Sequence, residues 1–278
     1  MGLFDKFKKK AAPASPSLTP PFPTQPDTTL KLLFSRQLPV EELTQAISRR
    51  FGSEAVARVD QLHPEAVCLL LRIDGVELWC SYMAFPLPPE EGNLRELLPH
   101  SLFVTQEEGE AMLGGKAFFV AGQKELGADL AGKRRACILL SRLCGALMEL
   151  PEAQGCLNSG IGLLLGRRFY LHHAEILERE KEDTGYFPAP LWIALSQAEN
   201  HGHRAIGTDG LRQFGFYELF FLDPKEEWAQ SYEKLYMMSI LQITGRELYR
   251  DKDTIRFGPE AQAVFRLLKD RLAVVGDI

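Results

Sequence analysis

"HGHRAIGTDGLRQFGFYELFFL", residues His201–Leu222, sets two histidines, two acids and four glycines directly before an apolar run. Two readings compete for it. As a reactive loop, His201 and His203 alternate and so point the same way in extended chain, as two zinc ligands must, with His172 and His173 as sources of a third. Asp209 and Glu218 would then be a carboxylate pair for acid–base work beside His203. As a backbone device, Gly207, Gly210 and Gly215 supply positive φ where the chain bends before a strand. Glu218, inside an apolar strand, must then face outward or be bonded by backbone amides from the turn. The second reading needs fewer coincidences. The His-x-His pair has no partner at a fixed spacing, no G-x-S-x-G elbow exists, and "GTDGLRQFG" lacks both the Walker lysine and the G-x-G-x-x-G spacing. A tight turn feeding a buried strand is expected, with no catalytic residue, metal or cofactor.

Working outward, strands and helices alternate. "TLKLLFS" from Thr29 reads as a strand, and "PVEELTQAISRRFG" as a helix with Val40, Leu43, Ile47 and Phe51 on one face and Gly52 as its stop. "AVCLLLRIDGVELWCSYMAF" is two apolar runs joined by Asp74-Gly75, a strong hairpin signal. "NLRELL" starts a short helix, and Thr105 with Glu108 forms a capping-box pattern ahead of another that ends at Gly114 and Gly115. "KAFFVAGQ" reads as a strand. "DLAGKRRACILLSRLCGALMEL" is a helix apolar around much of its circumference, which belongs at a domain centre. "GIGLLLG" and "LWIALSQAE" read as strands on either side of a charged helix, "LHHAEILEREKED". After the opening stretch comes a long helix, "PKEEWAQSYEKLYMMSILQITG", and "DTIRFG" with "AVFRLLK" closes the chain as a hairpin.

The expected fold class is α+β, with mixed or antiparallel sheets covered by helices. A β-α-β-β order recurs, which admits two related units although no exact repeat is present. Residues 29–115 are assigned to an N-terminal α+β domain and residues 116–278 to a C-terminal one. Ahead of them, six prolines between Pro13 and Pro26 make a linker behind the basic tail "MGLFDKFKKK", and residues 1–28 are read as disordered. Leu3, Phe4 and Phe7 beside four lysines suit weak contact with an anionic membrane surface through residues 1–10. A frayed, solvated tail is the simpler expectation.

The net charge is −5. Four lysines against Asp5 and Asp27 in residues 1–28 leave −7 on the remainder. An acidic body argues against nucleic acid as partner. No apolar stretch is long enough to span a bilayer, so stable membrane insertion is not expected. Five cysteines without a C-x-x-C pair, mostly in apolar segments, read as buried free thiols of a cytoplasmic protein.

The segment "TDGLRQFGFYELFFL", followed by "DKDTIRFG", resembles the C-terminal signature of bacterial proteins with the domain of unknown function 4261. Thr208, Gly210, Leu211, Phe214, Gly215, Glu218 and Leu219 match, as do Asp251, Asp253, Thr254 and Ile255; Lys252 stands where that family's turn has glycine. The likeness is clear over the C-terminal part and vaguer from Asp129 onward. It implies a cytoplasmic bacterial α+β protein and brings no catalytic residue.

The expected function is non-enzymatic protein binding, most specifically as an immunity protein that occludes a cognate toxin (an interbacterial effector, for example). An acidic surface steers and registers a basic partner. The contact residues expected are Tyr186, Phe187, Trp192 and Arg212 as anchors, with Glu178, Glu180, Glu182 and Asp183 as an acidic rim. The alternative is an enzyme, hydrolase-like or metal-dependent, with a site around His201, His203, Asp209 and Glu218.

Overall fold

The alternation of one strand sets the two faces of the first sheet. In β1 (Thr28–Phe34), Leu30, Leu32 and Phe34 enter the main core, while Leu33 turns to a smaller cluster with Met112, Phe118, Leu157 and Leu164 on the opposite side. The computed structural model describes residues 20–25, 28–123, 129–180, 186–200, 202–257, 262–269 and 271–276. It bears out the α+β class.

β1 lies inside a seven-stranded sheet. The order is β2 (Val56–His63), β3 (Ala66–Ile73), β4 (Val76–Met83), β5 (Ala117–Gln123), β1, β6 (Ala153–Asn158) and β7 (Leu163–Gly166), with every neighbouring pair antiparallel. The β3–β4 hairpin closes on Asp74 (φ 50°) and Gly75 (φ 74°), two consecutive positive φ values that match the twist of the flanking strands. β5 lies between β4 and β1. The sheet therefore takes strands from both sides of the expected 115/116 boundary, because a long-range pairing carries β5 back beside β1.

One face of this sheet is covered by α1 (Val40–Phe51), α4 (Leu130–Met148) and α5 (Arg167–Arg179). Asp129 caps α4 by accepting a 2.7 Å bond from the Gly132 amide. The helix then buries residues all round, from Ala136 and Cys137 to Leu147 and Met148. On the opposite face, α2 (Leu94–Leu97) and α3 (Gln106–Leu113) sit over the β1–β5–β6–β7 end. The Thr105–Glu108 capping box forms as expected. Lys31, only 6% exposed on that face, is held by the Glu91 carbonyl and carboxylate, each at 2.6 Å.

A second sheet of six strands runs β11 (Thr254–Arg256), β12 (Gln262–Leu268), β13 (Arg271–Gly276), β10 (Glu218–Leu222), β9 (His203–Asp209) and β8 (Ala194–Asn200). All its pairs are antiparallel except β10 with β13, which are parallel. α6 (Trp228–Ile243) packs against β9 and β10. One apolar cluster joins both sheets through α4, α6 and the segment Phe187–Ile193.

The expected β11–β12 hairpin forms, but β13 pairs beyond it, and β2, β6 and β9 are further strands that local sequence did not indicate, with Gly207 inside β9 and not at a positive-φ bend. The run "LWIALSQAE" is strand only from Ala194, since Ala189–Leu191 is a 3-10 turn that buries Trp192. Nor does the linker end before the fold. Pro20–Gln25 lies against the second half of the chain, with the Phe22 amide donating to the Gly215 carbonyl and the Gln25 amide to the Gln213 carbonyl, both at 3.0 Å. The tail at residues 1–19, including its proposed membrane contact, lies outside the described residues.

Lys252 adopts φ 70°, the left-handed conformation that glycine takes most cheaply. Replacing Lys252 by Gly is expected to leave stability unchanged or raise it by up to about 1 kcal/mol, and Lys252→Val to lower it. Denaturant unfolding of the two variants reads the difference.

Candidate functional site

The glycine-rich stretch folds as a clamp around one carboxylate. Gly210 (φ 122°) and Gly215 (φ 87°) bracket a 3-10 turn, Leu211–Phe214. A Cβ on Gly210 would lie 2.7 Å from the Trp192 carbonyl oxygen. Glu218, 8% exposed, turns back into this bend. Its Oε1 accepts from the Gly210 amide at 2.9 Å and the Arg212 amide at 2.8 Å, and its Oε2 from the Thr208 hydroxyl at 2.7 Å. Burial raises its pKa, and these donors oppose the rise. These bonds tie the turn between β9 and β10 to the carboxylate.

Among the described residues of the enzyme alternative, His203 is kept apart from Asp209. His203 and Asp209 sit at opposite ends of β9, roughly 20 Å apart at strand rise. His203 pairs through Nδ1 with Asp223 at 2.9 Å on the exposed surface. Asp209 points to the opposite face from Thr208, and therefore away from Glu218. Burial raises its pKa, with Arg271 opposing. His201 lies outside the described residues. His172 is exposed on α5, whereas His173 packs its ring on Phe169 at 4.6 Å, and burial holds its pKa down at about 4. Among the described residues, no group of three or more His, Cys, Asp or Glu is placed to hold a metal ion. The five thiols are free, and burial pushes that of Cys80 up to about 12.

The expected binding anchors divide. Phe187 and Trp192 are fully buried, because the turn between them folds both into the core and Trp192 Nε1 donates to Ser141 Oγ at 2.8 Å. They are not surface anchors. Tyr186 is half-buried. Arg212 is exposed and its guanidinium lies 3.2 Å from the centre of the Phe22 ring. Glu178 binds Arg50 and Arg142 across α1, α4 and α5 and is committed to holding helices together. Glu180 is exposed, while Glu182 and Asp183 lie outside the described residues.

The surface with the chemistry of a contact site lies elsewhere, on the open end of the first sheet. The pairing register places Arg58, Leu70, Trp79, Gly122 and Thr29 in one row across β2, β3, β4, β5 and β1. The adjoining row is Asp60, Cys68, Ser81, Val120 and Lys31, and it ends under the α2–α3 cover at the Lys31–Glu91 contact. Among the described residues, no element covers the β2–β4 end of this face. Trp79 stands 57% exposed on it, beside half-buried Leu70 and Cys68. Charge flanks the patch in preformed pairs. Arg58 grips Asp60 through two contacts at 2.8 and 2.6 Å, and Arg72 bonds Glu77 at 2.9 Å. A large exposed aromatic flanked by charges that are already paired has the make-up of an interface anchor.

The signal for Trp79 was in the sequence. Val76, Leu78, Cys80 and Tyr82 point inward, so Glu77, Trp79 and Ser81 must share the outer face.

Glu218→Ala would orphan two amides and a hydroxyl, and a loss of about 2–3 kcal/mol is expected, against less than about 1 for Glu218→Gln, which retains the doubly bonded oxygen. Denaturant midpoints separate them. The His173 pKa is depressed, so its contribution to stability is present above pH 6.5 and lost as pH falls toward 4. His173→Leu should therefore unfold less steeply with acid across that window, as followed by circular dichroism. Compared with models of known families, with curated proteins and with solved structures, the chain matches none of them.

Proposed function

We propose that this chain is a non-enzymatic protein-binding protein whose contact surface is the open face around Trp79, and that its partner is a basic protein it occludes. A bacterial immunity protein acting on a cognate toxin in the cytoplasm is the specific form of this reading. The observation that carries it is the exposure of Trp79 at 57%, on a sheet face whose other end is covered. A tryptophan so displayed gives up apolar area to water that a partner would recover, and tryptophan is enriched at interface centres. The charge of −7 on residues 29–278 supports a basic partner, because the long-range field accelerates encounter before any contact forms. The likeness of Thr208–Ile255 to the bacterial family supports the setting, as do five unpaired thiols. An interface burying roughly 1,200–2,000 Å² would extend from Trp79 over Leu70 to the flanking ion pairs.

The test starts from the full chain as bait in lysate of its source bacterium, followed by binding measurements with the purified partner. Wild-type protein should bind one basic protein with nanomolar affinity or better and suppress its toxicity on co-expression. Trp79→Ala should weaken binding about 30-fold or more. Because the indole is exposed, the same variant should shift stability by no more than about 0.5 kcal/mol. Recovery of no stable partner by the wild type would sink the reading, and equal affinity of Trp79→Ala would move the contact to another surface.

A further inference from the structure

The segment Pro20–Gln25 lies on the glycine turn in the manner of a bound peptide. Its residues alternate, with Pro20, Phe22 and Thr24 half-buried against the turn and Pro21, Pro23 and Gln25 exposed. Main-chain pairing supplies the register, from the Phe22 amide to the Gly215 carbonyl and from the Gln25 amide to the Gln213 carbonyl, each 3.0 Å. One side chain supplies selectivity. The Phe22 ring is held between the Arg212 guanidinium, 3.2 Å from its centre, and the Tyr217 ring, 4.8 Å away edge-on at 77°. Gly215 makes the approach feasible, since a Cβ there would run into the Phe22 carbonyl oxygen and lie 2.9 Å from Pro20 Cβ.

Main-chain bonds with alternate side chains in contact are the physics of extended-peptide recognition, and flanking prolines lower the entropy of ordering such a peptide. The turn itself is rigid for an independent reason: Glu218 ties its amides at Gly210 and Arg212 from beneath. The acceptor surface is thus built by the second sheet, and the segment is laid onto it.

We infer that Arg212, Gly215 and Tyr217 form a binding ledge for an extended Pro-aromatic-Pro peptide, filled in cis by this chain's own Pro20–Gln25 as an exchangeable ligand. This ledge does not depend on the Trp79 surface. The contact is small and half exposed, so tethering maintains occupancy: a short tether presents the segment at millimolar effective concentration. A free peptide of the same chemistry binds once the cis segment is disabled.

The test uses the full chain carrying Phe22→Ala and a fluorescent peptide copying residues 18–26. The peptide should bind this chain in the range that tethering supplies and bind wild-type protein about tenfold more weakly or worse, because the cis segment competes. A peptide copy with Phe22→Ala should not bind. Adding Arg212→Ala or Tyr217→Leu to the Phe22→Ala chain should abolish binding while circular dichroism stays unchanged; Gly215→Ala should do the same if it folds. Hydrogen exchange should show the Phe22 and Gln25 amides protected in wild type and the Gln25 amide released by Phe22→Ala. No binding at millimolar peptide, or binding indifferent to both Arg212→Ala and Tyr217→Leu, would overturn the assignment.

Discussion

The demand of α4 to be enclosed governs the architecture. A helix apolar around most of its circumference cannot rest on a sheet with its far side in water. The first sheet, with α1 and α5, covers part of it, and the remainder is closed by the chain around Trp192. The closing contact is specific as well as apolar: Ser141 Oγ accepts from the Trp192 indole and donates to the Cys137 carbonyl, while the Ser141 carbonyl accepts from Tyr170. From there a relay runs outward. The Trp192 carbonyl accepts from Gln213 Nε2 at 3.0 Å, Gln213 belongs to the glycine turn, and Glu218 ties that turn down. The helix therefore determines where the second sheet sits and why Gly210 must lack a side chain.

Elements whose stabilising contacts are local were legible in the sequence. The Asp74-Gly75 hairpin and the Thr105–Glu108 box each need only a few adjacent residues. The strands that escaped notice lack a local apolar pattern that marks them, even where the partner is the next strand, as β3 is for β2. β2 carries Arg58 and Asp60 on an edge, where charge discourages pairing with further chains and also erases the apolar pattern. β6 contains Gly155, where a side chain would strike Met112 and the Leu165 carbonyl, a packing need that looks locally like a turn residue. β13 pairs in parallel with β10, a relation that no short-range signal encodes. The return of β5 to β1 is of the same kind, and it carries one sheet across the expected division between residues 115 and 116.

The candidate site shows the same asymmetry between local and distant information. That Glu218 would either face outward or be bonded by the glycine turn followed from a carboxylate in an apolar strand needing donors, and the structure takes the second course. Which aromatics face water did not follow from their type. Trp192 sits among prolines and looked free, yet its indole finds a donor's partner only in Ser141, fifty-one positions away. Trp79 sits among apolar residues, yet the pleat turns it outward. Strand parity outranks hydrophobicity for such residues, because parity is fixed by backbone geometry and hydrophobicity only by what happens to cover the sheet.

Under the proposed binding reading, the charge distribution divides the work of recognition between range and contact. At the Trp79 face, Arg58 with Asp60 and Arg72 with Glu77 are already paired, so the patch itself is close to neutral and offers a partner no strong local attraction. The excess negative charge of the body acts at distances up to about a Debye length, near 8 Å in physiological salt, and so bears on encounter. Once the surfaces meet, desolvation of an indole among pairs that need no rearrangement favours slow dissociation. Salt would then slow association while leaving dissociation nearly untouched, and loss of the indole would do the reverse. A surface that relied on unpaired acids for contact would show both effects in the same variant.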